Sequence, residues 1–245
     1  MSLSEEKCRR LICYPECTDE EAENRVLELR QLEIDSICFT GQKRVLNIPV
    51  LGKGCVGLVV VAFRGREKVA LKIRRTDANR STMQHEAEML RRANEVDVGP
   101  RLLGASDNFL VMEYIEGFLL PEWLGSTEGG DTRKTLSLIL RRVLEQVWRL
   151  DMGGLDHGEL SNASKHIIVA EDKVPYLVDF ETASVSRRVS NVTSLCQYLF
   201  VGGKISHLFR AKLDFDIEEL IGALRIYKAV RSRRNFEAIL RKCRI

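Results

Sequence analysis

No apolar run in this chain is longer than a strand, prolines number only 5 among 245 residues, and neither charge sign is in large excess. The first absence excludes a membrane-spanning helix, which needs about 20 consecutive apolar residues. The charge balance is equally restrictive. Lys and Arg total 38 against 35 Asp and Glu, a formal net charge of +3, too mild to argue nucleic-acid binding by itself. Cysteines number 7, an odd count, with no paired C-x-x-C and no histidine near the early cluster of Cys8, Cys13 and Cys17. A zinc site there is disfavoured, and small buried hydrophobes are the expectation. The start carries no apolar segment behind a charged stretch, so reduced thiols in a cytoplasmic protein are expected. With 44% hydrophobic and 30% charged residues, the chain can bury a sizeable core without staples, as one compact domain or two small lobes.

The segment Leu51–Lys72 is the most informative. It reads Leu51-Gly52-Lys53-Gly54-Cys55-Val56-Gly57-Leu58-Val59, continues Val60-Val61-Ala62-Phe63, turns at Arg64-Gly65-Arg66-Glu67, and returns as Val69-Ala70-Leu71-Lys72. Glycines at 52, 54 and 57 let backbone amides approach phosphate oxygens without Cβ obstruction. A dinucleotide-binding fold with this spacing needs a helix after the third glycine, whereas Leu58–Phe63 is a β-branched and aromatic strand run. On the return strand Val69, Leu71 and Ile73 share one face, and Ala70 and Lys72 the other. That suits a cleft where an adenine passes Ala70 and phosphates meet Lys72. The plainer alternative is a surface lysine on an edge strand.

A capping-box pattern at Ser81-Thr82-Met83-Gln84 opens a helix running to about Asn94. Met83, Ala87 and Leu90 form its apolar stripe. Glu86 sits inside that stripe, where a carboxylate is costly unless paired, and Lys72 is the obvious partner; Glu88 lies off it. Gly99-Pro100 ends the segment, and strands follow at Leu102–Ala105 and Phe109–Tyr114. Earlier, Asp19–Leu32 has helical spacing with a stripe of Ala22, Val26, Leu29 and Leu32. Gly125–Arg133 reads as a loop. Lys134–Leu150 reads as an amphipathic helix whose stripe, Leu136, Ile139, Leu140, Val143, Leu144 and Val147, is core. Helices over Asn191–Phe200 and within Asp216–Ile245 complete the chain. The last carries Arg231, Arg233, Arg234, Arg241, Lys242 and Arg244, a solvated face or a docking surface for RNA or an acidic partner.

The candidate chemistry lies in His157-Gly158-Glu159-Leu160, the strand Ile167–Val169, the turn at Glu171-Asp172, and Tyr176-Leu177-Val178 leading into Asp179-Phe180-Glu181. A hairpin brings Glu159 and Asp179 toward one edge. Phosphoryl transfer from ATP needs one acid to hold Mg²⁺ and another to orient the acceptor hydroxyl. An aspartate closing a hydrophobic strand suits the first task, although any such aspartate also forms turns.

In that order, Gly52-x-Gly54-x-x-Gly57, Lys72, Glu86, Met112-Glu113-Tyr114, His157-Gly158-Glu159-Leu160 and Asp179-Phe180-Glu181 resemble the protein-kinase-like superfamily. The chain is similar to its small atypical branches: the RIO kinases, the minimal kinase of the tRNA threonylcarbamoylation machinery, and the aminoglycoside phosphotransferases. The resemblance spans roughly residues 46–185. It implies an α+β, two-lobed kinase-like fold: an N-terminal helical extension (1–45), a small antiparallel-sheet N-lobe with one helix (46–117) and a reduced helical C-lobe (118–245). ATP would lie in the cleft, contacted by Gly52, Lys53, Gly54, Gly57, Val59 and Ala70, by the Lys72–Glu86 clamp, and by the Glu113 carbonyl and Ile115 amide as the adenine hinge. Asp179 would hold Mg²⁺, and Glu159 would position the acceptor, with Asp156 in reserve.

The chain departs from the family pattern at three points. Glu159 replaces the usual aspartate. The metal-binding asparagine position falls on Ser164 by counting from Glu159 and on His166 by counting back from the strand, with Asn162 a further option. Asp179-Phe180-Glu181 lacks the usual final glycine, and no Ala-Pro-Glu follows. Lys165 is a further candidate for reaching a γ-phosphate, or simply exposed. The implied function is an atypical serine/threonine protein kinase acting on a protein hydroxyl, its own included. The alternative is an ATP-binding switch, ATPase or pseudokinase scaffold within a ribonucleoprotein or protein complex.

Overall fold

The computed structural model describes residues 2–3, 5–126, 132–202 and 205–245. Most of the loop expected at Gly125–Arg133 lies outside them. The chain is α+β with antiparallel sheets, and it divides into two compact units. One comprises Met1–Arg91 and Pro100–Tyr114, the other Arg92–Gly99 and Ile115–Ile245.

The first unit begins with helices α1 (Glu6–Ile12) and α2 (Asp19–Gln31), the latter capped by Thr18, whose hydroxyl accepts from the Glu21 amide. Short strands follow: β1 (Ser36–Cys38), β2 (Lys43–Val45), β3 (Ile48–Val50) and β4 (Gly52–Lys53). The long hairpin β5 (Gly57–Arg64) and β6 (Glu67–Arg74) comes next, then α3 (Gln84–Asn94), β7 (Leu102–Ala105) and β8 (Phe109–Glu113). The sheet order is β1-β5-β6-β8-β7, with β4 added beside β5. Lys72 therefore sits on a central strand, opposite Val59 on one side and Leu110 on the other. The edge-strand alternative is overturned.

Residues 1–45 pack into the first unit. Leu3, Cys8, Leu11, Ile12 and Leu29 join Val60, Ala62, Leu71 and Val111 in one apolar cluster. Arg25, fully buried, ties α2 into this core by donating from Nη1 to the carbonyls of Ile12 (2.7 Å) and Arg74 (2.8 Å). The expectation of reduced thiols also fails at one pair, because Cys13 and Cys17 form a disulfide across Tyr14-Pro15-Glu16, with Cα atoms 5.2 Å apart. Cys8 does behave as a buried hydrophobe, and burial pushes its thiol up to about 11.

The second unit contains β9 (Gly117–Leu119), α4 (Leu120–Ser126), α5 (Thr132–Met152), a 3₁₀ segment Leu160–Lys165, and strands β10 (Ile167–Ala170) and β11 (Pro175–Leu177). It continues with α6 (Asn191–Cys196), a π-helical turn Gln197–Val201, α7 (Ser206–Leu213), α8 (Ile217–Ala229) and α9 (Arg233–Lys242). Every residue of the α5 stripe named from the sequence is buried. A three-stranded sheet, β11-β10-β9, carries the hairpin. Gly117 is required there, since a Cβ would lie 2.3 Å from the Val169 carbonyl oxygen. Gln146 of α5 clamps the hairpin, donating to Pro175 O (2.6 Å) and accepting from Leu177 N (3.4 Å).

The basic C-terminal helix is largely spent on internal partners. Arg233 grips Glu145 through two bonds of 2.6 and 2.8 Å and covers the Trp148 ring at 4.8 Å. Lys242 pairs with Glu219, Arg244 with Asp214, and Arg231 donates to Val189 O. Among the described residues, no helix is long and apolar enough to cross a membrane.

Candidate functional site

In the first unit the predicted lysine and glutamate meet. Lys72 Nζ lies 2.9 Å from Glu86 Oε1 and 2.8 Å from Oε2, and the two residues are 5% and 4% exposed. The central register of β6 brings the lysine there, and the buried stripe of α3 (Met83, Ala87, Leu90) brings the carboxylate. Thr82 Oγ1 accepts from the Gln84 amide where that helix begins. Glu88 pairs with its own neighbour Arg91 on an open face.

The three glycines play unequal parts. A Cβ on Gly57 would lie 2.9 Å from Ile73 O and 3.3 Å from the Lys72 stem, so this glycine makes room for the lysine. Gly52 and Gly54 would meet only ordinary contacts at 3.5 Å. The Gly54 amide donates to Gly57 O (2.8 Å), closing the turn on itself. Lys53 Nζ donates to the Tyr14 hydroxyl at 2.9 Å. Arg75 lies over the same ring, donates to Gly54 O and pairs with Asp77. Sequence reasoning missed this brace from the disulfide-closed turn, because nothing in the spacing of residue 14 points to residue 53. Val59 pairs across to Lys72, Ala70 is 8% exposed, and Glu113 ends β8 with its carboxylate accepting from the Arg101 amide. Ile115 begins the longer segment of the second unit.

In the second unit Glu159, His166 and Asp179 converge, each offering one ligand atom within 4.8 Å of the others. His166 Nε2 lies 2.9 Å from Glu159 Oε2, and Nδ1 lies 3.9 Å from Asp179 Oδ2. Two short links set this register. The Val178 amide donates to His166 O (3.0 Å), and His157 Nε2 donates to Val178 O (3.3 Å). Asp179 has φ 72°, a left-handed conformation that aspartate tolerates but that carries strain in a non-glycine residue.

His157 is the pivot beneath the site. It is fully buried and lies 5.0 Å from the Phe180 ring. Burial first, and the neighbouring His166 second, depress it to about 4. Its amide donates to Asn191 Oδ1 (2.8 Å), while the Asn191 amide and Nδ2 both donate to Asp151 Oδ1 (2.9 Å each). Tyr227 OH reaches Asp151 Oδ2 (3.0 Å). Burial raises the Asp151 carboxyl, with these donors opposing. Asn191 and Asp151 escaped sequence reasoning because they lie outside the loop they anchor.

The reserve candidate Asp156 is committed to structure. Arg187 Nε donates to one of its oxygens (2.9 Å) and the Ser190 amide to the other (3.2 Å). Asn162 Oδ1 accepts from Ser164 Oγ (3.3 Å) on an exposed turn, and Lys165 is exposed.

No protein-family model matches the chain. An uncharacterized protein of Methanocaldococcus jannaschii is 28% identical over 109 residues, covering 44% of this chain and 89% of that protein.

Proposed function

We propose that this protein is an ATP-dependent phosphotransferase of the atypical protein-kinase type, with a kinase-like small sheet unit and a reduced helical unit. The observation that carries the reading is the desolvated Lys72–Glu86 pair on the central strand of a sheet that opens with a glycine turn. An ion pair that has lost its water is weak support for stability alone, since its Coulomb gain is offset by desolvation. A lysine held rigid by a carboxylate is what an α/β-phosphate contact requires.

The donor set around Asp179 and His166 fits a divalent cation, a carboxylate oxygen facing a buried imidazole nitrogen that has no hydrogen-bond partner. Bound Mg²⁺ would neutralise charge on the phosphates. Lys72 would hold the α- and β-phosphates, Glu86 would keep its ammonium aimed, and Glu159 would orient a serine or threonine hydroxyl. The reading requires both constellations to act on one nucleotide.

Purified protein incubated with γ-labelled ATP, alone and with a generic acceptor, tests it. Label should appear on protein, and Lys72→Met should cut transfer by about 10²-fold or more. Full transfer by that variant sinks the reading. A second reading, an ATP-binding switch or ATPase, is favoured by Glu159 being hydrogen-bonded to His166. Tight ATP binding with only free phosphate released would decide for it.

A further inference from the structure

The His166 side chain is 9% exposed, yet its Nδ1 has no hydrogen-bond partner. Its other nitrogen donates to Glu159 Oε2. In a neutral imidazole a donor at Nε2 leaves Nδ1 as a bare lone pair. That lone pair faces Asp179 Oδ2 across 3.9 Å, beyond hydrogen-bond reach and opposite another electron-rich atom. A buried acceptor aimed at a carboxylate is unfavourable unless a positive centre, a proton on Nδ1 or a metal ion, stands between them. Metal–nitrogen and metal–oxygen bonds of about 2.0–2.2 Å span that separation when they meet at an angle of roughly 125–155°.

A metal-ligating histidine characteristically donates its second ring N–H to a carboxylate, which fixes the tautomer and the ring's orientation. The Glu159–His166 bond has that form. Asp179 presents its carboxylate from a left-handed backbone, two-fifths exposed, so one side of the gap stays open to further ligands.

We infer that His166 Nδ1 and Asp179 form a mixed nitrogen–oxygen site for a first-row transition dication, Mn²⁺ being the probe, in preference to Mg²⁺, with Glu159 as the carboxylate that orients the imidazole. Mg²⁺ favours all-oxygen octahedra and gives up its water reluctantly, whereas imidazole nitrogen favours the transition series. Glu159 is thereby a positioning residue for the metal ligand through one oxygen. The inference deepens the phosphotransferase reading, on which any share of the coordination taken by nucleotide phosphates rests.

The test is metal binding to the full chain, stripped with a chelator and free of nucleotide. Loss of the free-Mn²⁺ paramagnetic resonance signal gives the affinity, competition with Mg²⁺ gives the selectivity, and spin-echo modulation reports ¹⁴N coupling on the bound ion. One Mn²⁺ with directly coupled nitrogen is expected, bound at least tenfold more tightly than Mg²⁺. His166→Asn should abolish the nitrogen coupling and lower the Mn²⁺/Mg²⁺ preference about tenfold. Glu159→Gln should weaken Mn²⁺ by about 10–100-fold while the coupling persists. Wild-type protein that binds Mn²⁺ without nitrogen coupling, or takes Mg²⁺ equally well, overturns the inference whatever the variants do. Phosphoryl transfer with Mg²⁺ alone and no nitrogen signal would leave the enzyme reading standing without this site. A nitrogen-coupled Mn²⁺ with no transfer would do the reverse.

Discussion

The Lys72–Glu86 pair lends itself to a double-mutant cycle. At 2.8–2.9 Å its gross attraction is about 6 kcal/mol at an effective dielectric of about 20. Both residues are nearly inaccessible, so desolvation removes most of that gain. Lys72→Met or Glu86→Leu alone should cost about 3–5 kcal/mol, because each leaves a charge buried without this partner. The double variant should lie within about 1–2 kcal/mol of the natural protein, a coupling of several kcal/mol. Because the chain has two units, one global unfolding free energy is not assured. Hydrogen exchange of β5, β6 and β8 peptides under native conditions is the cleaner measurement, since it reads opening of the sheet itself. Coupling below about 0.5 kcal/mol, the level at which sites count as independent, would refute the reasoning. The two groups would then be solvated, and the principal support for a preformed phosphate clamp would go with them.

Three further outcomes are expected. Gly158 has φ +92°, and a Cβ there would lie 2.4 Å from Arg187 Nη2 and 2.8 Å from Thr182 Oγ1, so Gly158→Ala should destabilise by about 1–3 kcal/mol in a urea titration; an unchanged midpoint would contradict the loop geometry. His157 is depressed from 6.5 to about 4 in the fold, so its stabilising share is complete above about pH 6.5 and lost as pH falls toward 4. Between pH 7.5 and 4.5 the natural protein should lose roughly 2–3 kcal/mol more than His157→Gln, and parallel curves would show the ring is not buried neutral. Asn191→Ala strips the His157 amide of its side-chain partner and removes the Nδ2 donor shared by Asp151 and the Leu155 carbonyl, so roughly 2–4 kcal/mol should be lost, at about 1–3 per orphaned buried group. Protection of the His157 amide should fall with it; unaltered exchange there would show that Asn191 does not anchor the loop.

Periodic features were legible in the sequence, and contacts across the chain were not. The stripe of α5 and the Met83–Ala87–Leu90 stripe are runs whose burial follows from spacing, and Glu86 stood out because it interrupts one. Alternation along Val69–Ile73 located β6, yet could not tell a central strand from an edge, since Ala70 and Lys72 are buried as well. The short strands β1–β4 and β9 offer two or three residues each, too few to show a period. At the loop, counting forward from Glu159 and back from Ile167 gave different residues because a 3₁₀ segment takes up the extra length. The Cys13–Cys17 bond and the Asn191–Asp151 anchor depend on three-dimensional closure that no local pattern encodes.

Arg25 has a bearing on how natural variation at this position should be read. Substitution scales score arginine-to-lysine as nearly silent, and a charged residue in an acid-rich helix would pass for decoration. Here one guanidinium nitrogen spans two carbonyl oxygens belonging to residues 12 and 74, while another nitrogen reaches Glu21. An ammonium group has no planar fork with which to reproduce that three-way grip. A lysine at this position in a related chain would therefore mark a rebuilt amino-terminal region, and an arginine there would mark the same joint retained.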